Sequence, residues 1–154
     1  MNQNPHGSSL RKGRFSEVNI TYLVTTVTNK RIRHFENFES SRLFINTIRN
    51  SDNSNKTKTL SWVIMPDHIH WLFDLLEEQK LEEVVRSVKG TFARYFNQKH
   101  NLTGNRFWQA GFHDRAIRRE EDMIVAARYI VANPLRAGLV NDIGNYPHWD
   151  SIWL

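Results

Sequence analysis

Two extended apolar runs joined by one turn constrain the fold of this chain more than any other sequence feature. The first run is TLSWVIM at 59–65, the second is HIHWLFDLL at 68–76, and only Pro66 and Asp67 separate them. A connection this short, made of turn-forming residues, is typical of an antiparallel β-hairpin. The sequence therefore predicts an antiparallel sheet that contains this pair of strands.

Two further elements are predicted before the hairpin. The run YLVTTVT at 22–28 is rich in β-branched and aromatic residues, which indicates a strand. Apolar residues at helical spacing indicate a helix over 38–49. The segment 50–58 is polar throughout, and we expect it to end this first half of the chain.

Two helices and one extended stretch are predicted after the hairpin. Apolar residues recur at intervals of three and four over 81–96, which predicts a long amphipathic helix. An extended stretch over 107–117 precedes a last helix, which opens near Arg119 and closes at Asn133, because the residue before a proline resists helical geometry. The order β-α-β-β-α-β-α predicts an α+β, ferredoxin-like (split βαβ) antiparallel sheet with helices on one face and an additional C-terminal helix.

Length and composition exclude several classes of protein. A chain of 154 residues fits a single domain on the usual scale of roughly 100 to 200 residues. The absence of cysteine excludes disulfides and a thiol nucleophile. No apolar run approaches the roughly 18 residues of a membrane span, and no secretory signal is visible, so a cytoplasmic protein with no membrane partner is expected. The net charge of +5 favours a polyanionic partner.

His68 and His70 are candidate metal ligands. Side chains alternate along a strand, so Ile69 and its alternate neighbours face a core while both imidazoles face the other way. Two imidazoles on one side of a rigid strand form a natural chelate for a divalent cation. The alternative is that both histidines are simply polar residues on the solvated side of the sheet.

Tyr129 and Asn133 are the second candidate pair. Tyr129 projects away from the apolar stripe of the last helix, and Asn133 lies one turn further along, with the small Ala126 leaving room for a ligand. The alternative is a surface tyrosine followed by an asparagine that caps the helix before Pro134. A phenol is almost fully protonated at neutral pH, so a nucleophilic tyrosine needs help. A cation on His68 and His70, completed by Asn133, would supply it, and Mg²⁺ or Mn²⁺ suits such a mixed nitrogen and oxygen shell.

These segments carry a family resemblance. MPDHIHWLF, ARYIVANPLRAGLV and YLVTTVT together resemble the REP-associated tyrosine transposases, members of the single-tyrosine HUH superfamily of single-strand DNA nucleases. The similarity extends from about Gly13 to Trp149. It implies a catalytic tyrosine at Tyr129, metal binding by His68 and His70, and a third ligand at Asn133.

The resemblance also implies a reaction and a partner. The expected reaction is metal-dependent cleavage and rejoining of single-stranded DNA through a covalent 5′-phosphotyrosine. The expected partner is a DNA hairpin, a REP-like palindrome with a flanking foot sequence, bound by a monomer or a homodimer in the bacterial cytoplasm, in association with the nucleoid. Residues 1–16 are then a flexible tail whose G-R-x-S element contacts DNA. Residues 17–137 are the catalytic domain, and residues 138–154 are an aromatic tail packed on that domain.

Basic residues are the candidate DNA contacts, because phosphates dominate the affinity of such interfaces. Those of the tail, with the glycine and serine of its motif, are Arg11, Lys12, Gly13, Arg14 and Ser16. Those of the domain are Arg86, Lys89, Arg94, Arg106, Arg115, Arg118, Arg128 and Arg136. Two other functions are compatible with the sequence: a ferredoxin-like module that binds single strands without cutting them, and an HxH metal hydrolase of small phosphoesters in which water attacks.

Overall fold

Five strands form one antiparallel sheet in the computed structural model, which describes residues 20–76 and 78–154. The strands are β1 (Thr21–Val27), β2 (Thr57–Met65), β3 (His68–Leu75), β4 (His113–Ile117) and β5 (Trp149–Ser151). The helices are α1 (Phe38–Asn53), α2 (Leu81–Lys99), α3 (Glu120–Val131) and the short α4 (Asn133–Arg136). Single 3₁₀ turns cover Asn29–Arg31, His34–Glu36 and Ile143–Asn145.

The sheet has the strand order β4-β1-β3-β2-β5. Its first four strands follow the connection β1-α1-β2-β3-α2-β4, and each neighbouring pair is antiparallel. This is the split βαβ arrangement, so the predicted fold class is confirmed. The hairpin of β2 and β3 lies inside the sheet, where β3 pairs with β1 on its other edge.

One face of the sheet packs against α1 and α2. Ile69, Trp71 and Phe73 of β3 lie in this core, as their alternation predicts. Its centre is aromatic: Phe92 of α2 is fully buried and contacts five other rings. Those rings belong to Phe35, Phe44, Phe96, Phe107 and Trp108. Large interlocking rings hold this half of the domain together through apolar burial.

The opposite face packs against α3. Leu72 of β3 and Leu23 of β1 meet the buried side of α3, which presents Ala126, Ala127 and Ile130. Because the side chains of the two successive alanines are short, α3 lies close to the sheet. His68 and His70 belong to the same face as Leu72. The fold therefore places both imidazoles on the side of the sheet that α3 covers.

The ends of two helices differ from the prediction. α1 runs to Asn53, past the predicted end at 49, because its polar last turn is bonded to β2. Thr57 Oγ1 donates to Asp52 Oδ1 at 2.6 Å, and the hydroxyl oxygen of Ser51 lies 2.9 Å from Thr57 Oγ1. α3 ends at Val131, and Asn133 begins α4. A proline in the first turn of a helix loses no hydrogen bond, so Asn133-Pro134 opens a new turn and does not close the old one.

The C-terminal stretch contributes β5, a strand that the pattern did not predict. Trp62 and Ser61 of β2 are opposite Asp150 and Ser151 in the register. Tyr146 donates its hydroxyl to the carbonyl of Ile64 at 2.6 Å. This pairing covers the edge of β2, which would otherwise be open to association. Among the described residues, no helix combines the length and the apolar character that crossing a membrane requires.

Replacing the central ring tests the aromatic core. We expect Phe92→Ala to lower the free energy of unfolding by about 3–5 kcal/mol, because it leaves a cavity among five rings. Equilibrium urea denaturation measures the change. Gln98→Ala, at an exposed position of the same helix, should change stability by no more than about 0.5 kcal/mol. Equal stability of the two variants would contradict the central role of Phe92.

Candidate active site

A cavity of ≈ 530 Å³ lies between α3 and the sheet, and it contains both predicted catalytic groups. His68 and His70 line it from β3, and Tyr129 lines it from α3. The remaining polar residues of its lining are Thr25, Arg31, His113 and Arg115. The structure therefore brings the two imidazoles and the phenol to one cavity.

The two imidazoles of the cavity are close and held at fixed angles. The ring centroids of His68 and His70 are 5.0 Å apart, and the ring planes are nearly perpendicular, at 85°. Nδ1 of His68 is 2.7 Å from Oδ1 of Asp67. Nδ1 of His70 is 2.7 Å from Oγ1 of Thr25, which lies opposite it on β1. Each ring is thus oriented by an oxygen partner at Nδ1.

This hydrogen bonding fits a divalent cation. A metal-binding histidine usually donates one ring N–H to a carboxylate, carbonyl or hydroxyl oxygen, which leaves the other nitrogen for the metal. Asp67 and Thr25 supply such oxygens, so Nε2 of each ring is the available ligand atom. His113 lies beside Thr25 in the register of β4 and β1, and its buried Nδ1 has no hydrogen-bond partner within the described residues. The donor set suits a cation that accepts neutral imidazole.

The electrostatics of the site favour neutral imidazole as well. Burial, with the charges of His68 and Arg136, lowers the pKa of His70 to about 3. His70 is therefore uncharged at neutral pH, the form that binds a metal. Burial alone would raise the pKa of Asp67, but its hydrogen bonds and charge interactions with His68 and Arg31 hold that pKa below its usual value. Asp67 is therefore ionised and accepts from His68.

Tyr129 is one of the exposed residues of α3. Its side chain is 60% accessible, whereas Ala126 and Ile130 beside it are buried. The guanidinium of Arg136 stacks 3.9 Å from the centre of the Tyr129 ring and donates to the Tyr129 carbonyl at 2.6 Å. The Tyr129 side chain packs little against the core, and the Arg136 guanidinium holds it at the mouth of the cavity. The tyrosine is therefore available to a substrate.

Asn133 is placed differently from the pair of histidines. Its Nδ2 donates to the carbonyl of Ile130 at 3.1 Å, the capping arrangement that was the alternative interpretation. In the described part of the chain, Asn133 does not line the cavity of His68 and Tyr129. Within residues 20–76 and 78–154, no three His, Asp or Glu side chains form a ligand group. The third-ligand role of Asn133 stays a prediction.

The predicted DNA contacts lie in four different places. Arg115 lines the cavity, and exposed Arg118, Arg128 and Arg136 lie on or beside α3. Arg86, Lys89 and Arg106 line a second cavity on the opposite face of the sheet, and Arg94 is exposed and lines neither. The tail residues lie outside the described part of the chain, namely Arg11, Lys12, Gly13, Arg14 and Ser16.

The sequence patterns missed Thr25 and Arg31. Thr25 reaches His70 only because β1 and β3 are neighbours in that register. Arg31 follows β1 and bonds through Nη1 to Oδ2 of Asp67 at 3.2 Å. Nothing in the local sequence pairs either residue with the histidines, whereas Asp67 stands directly before His68 and was visible there as a turn residue.

Comparison with known proteins places the chain in a family. The family model described as "Transposase IS200 like" matches residues 16–133, most of the chain, and the chain therefore belongs to this family of transposases. Within it, the chain is 28% identical to a REP-associated tyrosine transposase of Escherichia coli (strain K12) over 88 residues, which cover 56% of this chain and 50% of that protein. The chain thus spans about half the length of this curated relative.

A solved structure shows the same fold. The REP-associated tyrosine transposase solved in complex with a REP hairpin matches with a TM-score of 0.69 and 24% sequence identity. The match covers 88% of this chain and 79% of that one. The resemblance to REP-associated tyrosine transposases that the sequence motifs indicated is confirmed.

Removing the hydroxyl of Thr25 tests the orientation of His70. We expect Thr25→Val to weaken Mn²⁺ binding by about 10- to 100-fold, because the ring loses the oxygen that fixes its Nδ1. Isothermal titration calorimetry measures the affinity. The matched control is Thr26→Val. Thr26 is buried on the other face of the sheet, and its Oγ1 has no hydrogen-bond partner among the described residues. The affinity of this variant for Mn²⁺ should equal that of the wild type. Equal affinity in both variants would refute the orienting role.

Proposed function

We propose that this chain is a metal-dependent single-strand DNA endonuclease and strand transferase. One observation carries the proposal: Tyr129, His68 and His70, which come from two distant elements, line the same cavity. A nucleophile and a pair of metal ligands need a common space to act on one phosphorus atom. Membership in the IS200-like transposase family supports the same reaction class.

His68 and His70 hold the divalent cation, Mg²⁺ or Mn²⁺, in this proposal. When bound there, the cation polarises a phosphodiester and stabilises the charge that develops during its cleavage. The role of Asp67 and Thr25 is to keep both rings turned toward the cavity. His68 and His70, with Asn133 as the predicted third ligand, would hold an ion of a kind that also takes oxygen ligands from water and phosphate.

Tyr129 is the proposed nucleophile. Its phenolic oxygen forms a bond to the phosphorus of a DNA phosphodiester, and the bond from that phosphorus to the 3′ oxygen breaks. The phenol proton passes to solvent, and the leaving oxygen takes up a proton to become a free 3′-OH. The product is a 5′-phosphotyrosine, and attack by another 3′-OH reverses the step, so strands rejoin without a further energy source.

Three arginines surround the path of the phosphate. Arg31 and Arg115 line the cavity, and Arg136 lies against the tyrosine ring. A guanidinium is always charged and binds phosphate oxygens in a fixed fork geometry. Arg128, next to the nucleophile in sequence, and Arg118, before α3, extend this positive surface along the helix. We assign these residues to phosphate binding.

The proposed partner is a single-stranded DNA hairpin with unpaired flanking nucleotides. The relative with the same fold was solved with a REP hairpin, which motivates this choice of substrate. Basic side chains would contact the backbone of the stem, while the unpaired nucleotides would reach the cavity. The G-R-x-S element at 13–16 is the proposed contact to the foot sequence.

Substituting the nucleophile gives the decisive test. Incubated with Mn²⁺ and a 5′- and 3′-labelled single-stranded hairpin, the wild type should form a DNA–protein adduct on denaturing gels. Tyr129→Phe should bind the same DNA but form no adduct, because it lacks the attacking oxygen. The matched control is Tyr95→Phe, an exposed tyrosine on α2, which should form the adduct normally.

The alternative functions give other results in this experiment. A binding module would shift the hairpin on native gels and form no adduct with the wild type. A phosphoesterase that uses water would release free product at the same rate in wild type and Tyr129→Phe. Either result would refute the tyrosine mechanism.

Removal of the cation or of a ligand should also stop cleavage. We expect His68→Ala and His70→Ala each to lower the single-turnover cleavage rate by about 10²- to 10³-fold, because several kcal/mol of charge stabilisation are lost. Chelation with EDTA should stop the wild type, and added Mn²⁺ should restore it. A full rate in both variants would contradict the metal site.

A further inference from the structure

A second cavity, of ≈ 490 Å³, opens between α2 and the segment 105–112 on the face of the sheet opposite the histidines. Three cationic residues line it: Arg86, Lys89 and Arg106. Three aromatic residues also line the cavity, and we call them the aromatic wall: Phe107, Trp108 and Phe112. A pocket that combines surplus positive charge with an aromatic wall has the character of a site for a nucleotide.

The cations of this cavity have no ion-pair partner among the residues that the structure describes, although Glu82 also lines the cavity. Among the described residues, Lys89 Nζ donates to two backbone carbonyls, those of Gln109 at 3.1 Å and Gly111 at 2.6 Å. Burial and the charge of Arg106 lower the pKa of Lys89 to about 8. An anion in this cavity would relieve that repulsion.

Gly90 provides an independent observation. It lies in the middle of α2 and lines the cavity, and a Cβ added there would meet no atom within 4 Å. Glycine inside a helix is unfavourable relative to alanine, and packing within the protein does not require it here. Because Gly90 has no side chain, open space remains beside the three cations. A ligand needs such space to approach the helix backbone closely.

The cavity lies at the same end of the sheet as the candidate active site. Trp108 pairs with Thr28, directly after β1, and Gln109 N donates to the carbonyl of Val27 at 2.9 Å. Val27 lines the cavity of the histidines. Phe112 lines one cavity and the next residue, His113, lines the other. One short segment of the chain therefore contributes residues to both cavities.

We propose that this cavity binds an unpaired nucleotide of the DNA substrate, close in sequence to the phosphodiester that is cleaved. Its phosphate lies at Arg86 and Arg106, and its base enters the space beside Gly90, against the aromatic wall. The cavity then acts as a positioning and specificity site for the single-stranded part of the substrate. This inference rests on the proposed function, because it takes the chain to act on single-stranded DNA.

A methyl group at position 90 provides the sharpest test. Fluorescence anisotropy would measure binding of hairpins that carry from zero to six unpaired nucleotides beside the cleavage site, in the Tyr129→Phe protein. Affinity should rise sharply at one particular number of unpaired nucleotides, and we call this rise the step. Gly90→Ala should remove most of that step, about tenfold in Kd, by filling the space of the base. The same variant should unfold at a higher temperature, because alanine favours the helix.

Two further variants separate a binding role from a structural one. Ser87→Ala, exposed on the same helix and outside this cavity, also favours the helix and should leave the step unchanged. Arg86→Gln with Arg106→Gln should reduce the salt dependence of binding, by about 0.7 in the slope of log affinity against log salt for each phosphate that the protein no longer neutralises. An abasic nucleotide at the length of the step should reproduce the weaker binding of Gly90→Ala.

The outcomes distinguish this inference from the proposed function. If Gly90→Ala binds every length as its parent does, or if no step appears while the wild type still forms the tyrosine adduct, the nucleotide site is refuted and the proposed function stands. If the step is present and disappears in Gly90→Ala but no adduct forms, the site stands and the nuclease mechanism falls. If no length binds, both are overturned.

Discussion

The alternation of side chains along β3 is the constraint on which the rest of the structure depends. Ile69, Trp71 and Phe73 are buried against α1 and α2, so His68 and His70 must face α3. β3 pairs with β1 on one edge and β2 on the other, and a slip of one residue would bury the imidazoles and expose the aromatic rings. The apolar core thereby holds both histidines in register.

The candidate site is built from contacts that cross the sheet. Thr25 on β1 lies between His70 on β3 and His113 on β4, and its hydroxyl meets the His70 ring. The alanines of α3 allow that helix to approach the same face, which puts Tyr129 at the mouth of the cavity. Burial keeps His70 neutral because a desolvated charge is costly, and an oxygen partner at Nδ1 orients each of the two rings.

Both faces of the domain have a place in the proposed activity. The face under α3 carries the proposed nucleophile and the proposed metal ligands, and the face under α2 carries a basic cavity with aromatic lining that the proposed reaction does not use. The segment that leads into β4 contributes to both. In our proposals, one sheet positions a single strand of DNA at two points, and the strand is cleaved at one of them.

The local sequence determined the first four strands, the three long helices and their order, because hairpin turns and hydrophobic periodicity act over a few residues. It indicated the helical regions, the alternation that separates His68 and His70 from the core, and the exposed position of Tyr129. Tertiary structure alone decided the pairing of Thr25 with His70, the contact of Arg31 with Asp67, strand β5 and the turn at Asn133. Those features depend on register between strands far apart in the chain and on hydrogen bonds formed only after packing, which no local pattern encodes.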